Sequence, residues 1–197
     1  MEQQHSFATP GPAALGAFAV AVFGFGAVFL GKIGVNGLPL LAAWLVGGGI
    51  IQLTAGIMEL KDHNVTGGNV FLYFSGFFMF AAALSTIAKF LMITNGITPE
   101  PTIEGWTWLA GFGFLVAMTP AYAKANAALF VLVVAVDVAL FLIALIDLGM
   151  VNNAICKPIV GYLLLFTGCI ALYLIAATAT NSVYGRTVLP VPKPLVK

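Results

Sequence analysis

In a chain as apolar as this one, the polar side chains set inside the hydrophobic runs are the ones with chemistry to offer. An unsatisfied acid or amide in hydrocarbon is costly, so it lines a cavity or finds a partner. Those residues are Gln52 and Thr54, then Tyr73, Ser75, Ser85 and Thr86, then Asp137, and finally Thr167 and Tyr173. Gln52 and Glu59 are seven residues apart and therefore share a helical face. Asp137 lies near the middle of ALFVLVVAVDVALFLIALID, Ala128 to Asp147, and Asp147 follows ten residues later, about 15 Å along a helix. Two acids so far apart do not work as a dyad. No histidine lies in any run, and no hydroxyl stands with a base as an intramembrane protease or transferase requires. These residues suit hydrogen bonding to a passing solute or to a neighbouring helix, and an enzyme is not expected.

Cofactors are not expected either. Cys156 and Cys169 are the only cysteines, and their 13-residue separation is roughly 20 Å on a helix, several times the reach of a disulfide. With only His5 and His63 besides, no spacing resembles a zinc, haem or iron–sulfur site, so no metal is expected. The formal net charge of +1 leaves no basic excess to neutralise phosphates, which argues against a nucleic-acid partner.

The elements that must position these side chains follow from composition. The chain has 197 residues, 61% hydrophobic and 8% charged. Its mean hydropathy of +1.05 is that of a membrane protein. A bilayer core requires about 20 apolar residues in a helix. Six such runs occur, at 13–30, 38–60, 70–91, 106–122, 127–148 and 159–180, separated by breaks of Gly, Pro, Asn or charge. The runs lack the alternation of barrel strands, so the expected fold class is an all-α integral membrane protein, one domain over 1–197 with six transmembrane helices. Pro12 is expected in the first turn of the first helix and Pro158 in that of the sixth.

Lys61, Lys124, Arg186, Lys193 and Lys197 fall on the side of both termini, against Lys32, Lys89 and Lys157 on the other. Five against three places the termini in the cytoplasm. Trp106 and Trp108, after the external loop TNGITPEPTIEG, suit an interfacial aromatic belt. The opening MEQQHSFATPGP has no cationic segment before the first apolar run and does not read as a cleavable signal. The tail LPVPKPLVK is proline-rich and expected to run extended. Gly24, Gly26 and the triple glycine at 47–49 read as close helix packing, since no Lys-Ser or Lys-Thr follows the triplet as a phosphate loop demands.

Four strings are more specific. TPGPAALGAF at Thr9 to Phe18, GGGIIQLTAGIMEL at Gly47 to Leu60, NVTGGNVFLYFSGFF at Asn64 to Phe78 and YGRTVLP at Tyr184 to Pro190 resemble the acetate uptake transporter family, which includes bacterial acetate and succinate channels and yeast acetate transporters. The family's Asn-Pro-Ala-Pro-Leu-Gly stands here as Thr9, Pro10, Gly11, Pro12, Ala13 and Ala14. The resemblance implies transport of small carboxylates, mainly acetate with succinate second, by a hexamer in the bacterial inner membrane, each protomer having its own pore. It also implies an apolar constriction at Phe18, Phe74 and Val136, the second being tyrosine in relatives. Three apolar groups at one level suit a plug that gates by dewetting.

Moving a bare carboxylate through hydrocarbon costs tens of kcal/mol, so a pathway must keep water or offer donors. Gln52, Thr54, Glu59, Tyr73, Ser75 and Asp137 are the expected pathway residues, and Lys61 and Arg186 at one mouth, or Lys32 and Lys157 at the other, suit concentrating anions. Asp137 lies about 100° round the helix from Val136. It is either neutral and donating to a passing carboxylate, or bonded to a Ser, Thr or Tyr at a helix or subunit contact. The sequence leaves open a channel or a proton-coupled carrier of carboxylates. The alternative is a pore for neutral solutes such as urea or ammonia.

Overall fold

The computed structural model describes residues 8–196, all helical or irregular, with no strand among them. His5 and Lys197 lie outside the described residues. Six long helices run through the described chain. The first, α1, is Gly11–Phe29, with Pro12 in its first turn where its missing N–H costs nothing. A 3-10 turn at Val35–Gly37 leads into α2, Leu38–Lys61. Asn64 opens α3, Val65–Thr94, accepting from the Gly67 amide at 3.0 Å. Then come α4, Thr102–Tyr122, and α5, Ala127–Asp147. The last, α6, is Asn153–Tyr184, 32 residues that end on Gly185 in the left-handed conformation, φ 60°.

All six expected helices are present, with ends displaced by a few residues. Pro158 is the exception in kind. It sits inside α6 rather than in its first turn, because Asn152 caps the helix further upstream by accepting from the Ala154 amide at 2.9 Å. Five helices are long and apolar enough to cross a membrane. The other, α4, has 21 residues and is less apolar because it carries Glu104, Thr107, Thr119 and Pro120.

Small residues decide where the helices cross. A Cβ on Gly56 of α2 would lie 3.0 Å from the Gly68 carbonyl oxygen of α3, and one on Gly68 would lie 3.0 Å from that of Gly56. The same reciprocal approach joins Gly26 of α1 to Gly161 of α6, at 3.1 and 3.2 Å. Gly48 and Gly49 of the triplet meet Met79 and Phe80 of α3, which agrees with packing. The main apolar core then forms where α1, α3, α4, α5 and α6 converge, around Phe18, Phe74, Leu115, Val136 and Leu164.

In the middle of α3, Phe74–Ala81 forms a π-helical stretch. Such wider turns shift the face that side chains present and are frequent at functional sites. The C-terminal tail does not leave the fold. Asn181 Oδ1 accepts from the Val188 and Leu189 amides, Tyr173 donates to the Pro190 carbonyl, and the Leu195 amide donates to the Ala123 carbonyl at 3.0 Å. The tail thus crosses from α6 to the loop between α4 and α5.

Candidate functional site

Two cavities enter the helix assembly from opposite ends. The near cavity, on the side of the termini, has a volume of about 430 Å³, and the far cavity about 340 Å³. Phe18 of α1, Phe74 of α3 and Val136 of α5 are the residues that line both. They are 6%, 5% and 3% exposed, so an apolar partition separates the two spaces. The Phe18 and Phe74 ring centroids are 6.2 Å apart and tilted by 48°. Phe74 opens the π-helical stretch and stacks on Phe78 at 4.0 Å, and Phe78 meets the Trp108 ring edge-on at 5.0 Å. Aromatic faces therefore continue from the partition into the far cavity, whose lining includes both Phe78 and Trp108.

The far cavity ends among charges. Lys89 of α3 forms an ion pair with Glu104 of α4, and Ser85 donates a hydrogen bond to the same carboxylate. Asp147 and Lys157, flanking the turn between α5 and α6, line the same mouth. Two cations, Lys89 and Lys157, thus stand with two acids, Glu104 and Asp147, at that mouth.

In the near cavity the partition gives way to Gln52 and then Glu59, both on one face of α2. Gln52 is wholly buried, and its Nε2 donates to the Ala14 carbonyl oxygen at 3.4 Å. Glu59 is 6% exposed and accepts from Thr9 Oγ1 at 3.2 Å and Asn64 Nδ2 at 2.5 Å. Tyr122 and Lys124 close the opposite wall.

The other expected pathway residues are placed differently. Thr54 is exposed and donates to the Ile50 carbonyl of its own helix at 2.9 Å. Ser75 donates to the Gly49 carbonyl at 2.9 Å, bonding α3 to α2. Tyr73 stacks on Phe114 of α4 at 3.9 Å. Asp137 Oδ2 accepts from Thr119 of α4 at 2.7 Å. None of these four borders either cavity. Conversely, Phe78, Trp108, Glu104 and Asp147 on the far side, and Thr9, Asn64 and Tyr122 on the near side, line the cavities without having been expected as pathway residues. For Asn64 a signal existed, as the polar residue opening a helix directly after Glu59. Among the described residues no cluster of His, Cys, Asp and Glu is arranged to hold a metal ion.

The GPR1/FUN34/yaaH family model matches residues 1–193. The chain belongs to that family. The family likeness thus extends over almost the whole sequence, beyond the four strings that first carried it. Among family relatives, the succinate-acetate/proton symporter SatP of Escherichia coli (strain K12) is 27% identical over 185 residues, covering 93% of this chain and 95% of that protein. An uncharacterised protein of Methanothermobacter thermautotrophicus is 27% identical over 188 residues, covering 93% and 90%. The solved structure of the bacterial acetate channel SatP superposes with a TM-score of 0.80 at 26% identity, covering 94% of this chain and 99% of that one. Six long helices and this likeness make the protein an integral membrane protein of the transporter and channel type.

Proposed function

We propose that this protein passes acetate and related small carboxylates, succinate among them, across the bacterial inner membrane through a pathway inside each protomer. The observation that carries this reading is that two cavities from opposite ends meet at three residues, Phe18, Phe74 and Val136. A solute crossing from one to the other has to pass those side chains. Their apolar surface repels water and bare ions, so the partition opens only to a small solute or on a slight displacement of the rings. The near cavity lies on the cytoplasmic side in the orientation that the lysine and arginine distribution supports. Gln52 and Glu59 supply the polar groups next to the partition on that side. The relatives' printed names, an acetate channel and a succinate-acetate/proton symporter, favour carboxylates over urea or ammonia as cargo. The protein assembles as a hexamer with one pathway per protomer, a reading that rests on family likeness and is checked by native mass spectrometry.

The deciding experiment is uptake of labelled acetate into proteoliposomes at alkaline pH, where little membrane-permeant acid exists, against protein-free vesicles. Flux that depends on protein, competes with unlabelled succinate and ignores urea is the expected result. Competition by urea alone favours the neutral-solute reading.

A further inference from the structure

Two observations on α2 point to how a proton accompanies the cargo. Gln52 Oε1 is buried and has no hydrogen-bond partner among the described residues, while its Nε2 is committed to Ala14. An amide oxygen without a donor is an acceptor for an O–H group that enters the near cavity. A carboxylate has no proton to offer there, whereas a protonated carboxylic acid has one. Gln52 therefore fits the neutral acid, which is also the form that an apolar partition admits at lowest cost.

Glu59, seven residues further along the same face, occupies a second boundary. A third pocket of about 600 Å³, open and polar, lies beyond the near cavity and includes Asp62 and His63. Glu59 lines both this pocket and the near cavity, together with Thr9, Asn64 and Thr66. Its carboxyl thus stands between the space where cargo emerges and the space where water enters. The ionisable groups around it are Tyr122 and Lys124 from α4 and the loop after it, and Asp62 and His63 from the end of α2 and the turn that follows.

We propose that Glu59 is the proton-exchange residue of this transporter. A carboxylic acid passing Gln52 gives its O–H proton to the Glu59 carboxylate, leaving a free carboxylate ion and a neutral Glu59. Glu59 then releases the proton to water in the open pocket, regenerating its carboxylate. One proton moves with each carboxyl group, and a monocarboxylate crosses without net charge. The inference rests on the carboxylate-transport reading above and assigns its coupling step.

The test is protein-dependent uptake of labelled acetate by the full chain in proteoliposomes, with the membrane potential set by potassium and valinomycin. Leak of acetic acid carries no charge and is subtracted with empty vesicles. In the wild type, uptake is expected to ignore the imposed potential. Glu59→Gln is expected to lose about tenfold or more of that uptake and to flatten its pH profile, with an unchanged melting temperature, and Glu59→Asp to restore both. Unchanged electroneutral uptake and pH profile in Glu59→Gln overturns the assignment, as does a wild-type flux that follows the potential. Folded wild type with no protein-dependent acetate flux overturns the transport reading itself, a failure distinct from that of Glu59 alone.

Discussion

Thr119 Oγ1 lies 2.7 Å from Asp137 Oδ2 and 2.9 Å from the Leu115 carbonyl oxygen. One hydroxyl carries one proton, yet both neighbours are oxygen atoms. The Thr119 hydroxyl is thus shared between the Leu115 carbonyl of its own helix and the Asp137 carboxyl, which accepts it across the contact between α4 and α5. Asp137 thereby joins α5 to α4, the second of the two roles open to it from sequence, and it stands away from both cavities.

Asp137→Asn offers an amide in place of the acid and is expected to keep both the melting temperature and acetate uptake close to wild type. Asp137→Leu removes the α5 acceptor of the Thr119 hydroxyl, which keeps only the Leu115 carbonyl of its own helix, and is expected to cost about 1 kcal/mol of stability. Thermal unfolding in detergent beside proteoliposome uptake checks both. A loss of uptake in Asp137→Asn with intact stability would return this residue to the pathway.

Val136 is the smallest side chain at the partition, so its size should set the width. Val136→Ala removes two methyl groups, at a cost of about 1 to 2 kcal/mol. Uptake of succinate relative to acetate is expected to rise several-fold in that variant. Val136→Phe should reduce both fluxes at least to about a tenth by closing the partition. Competition between the two labelled carboxylates reads the ratio.

Glu104 neutralises Lys89 at the far mouth. In Glu104→Gln the four charges there, Lys89, Lys157, Glu104 and Asp147, become two cations and one anion. Half-saturation by acetate from that side is expected to fall a few-fold at low salt, and the difference to shrink at about 0.5 M salt as screening tightens. A difference independent of salt would point to altered packing of α4.

The Gly56 and Gly68 crossing tolerates no side chain, because an added Cβ meets Leu72 or Leu60 side-chain carbons at 2.6 to 2.8 Å and, behind them, backbone atoms of the facing helix at 3.0 Å that cannot give way. Gly56→Ala is expected to destabilise by about 1 to 3 kcal/mol and to lower the yield of folded protein. Gly34→Ala, where φ is −82° and nothing lies within 4 Å of the added carbon, is expected to leave both unchanged. Size-exclusion profiles after heating compare the two.

The sequence by itself determined the membrane environment, the six helices and the family. All of these rest on local properties: an apolar run long enough to cross a bilayer forms a helix because its backbone polar groups have no other partner there. It also singled out Phe18, Phe74 and Val136 by likeness and Gln52 and Glu59 by their shared face. Tertiary structure decided how each helix is rotated. In an ordinary soluble helix the polar stripe reveals the buried side, but here lipid-facing, packed and cavity-facing surfaces are all apolar, so hydropathy carries no such signal. Thr54, Tyr73, Ser75 and Asp137 look like pathway residues in sequence, and only the structure shows Thr54 bonded along its own helix and the other three bonded to or stacked on neighbouring helices. The π-helical stretch at Phe74–Ala81, the Lys89 and Glu104 pair across two helix ends, and the tail bound to Ala123 likewise depend on contacts between distant segments. No pattern of spacing along a single helix encodes them.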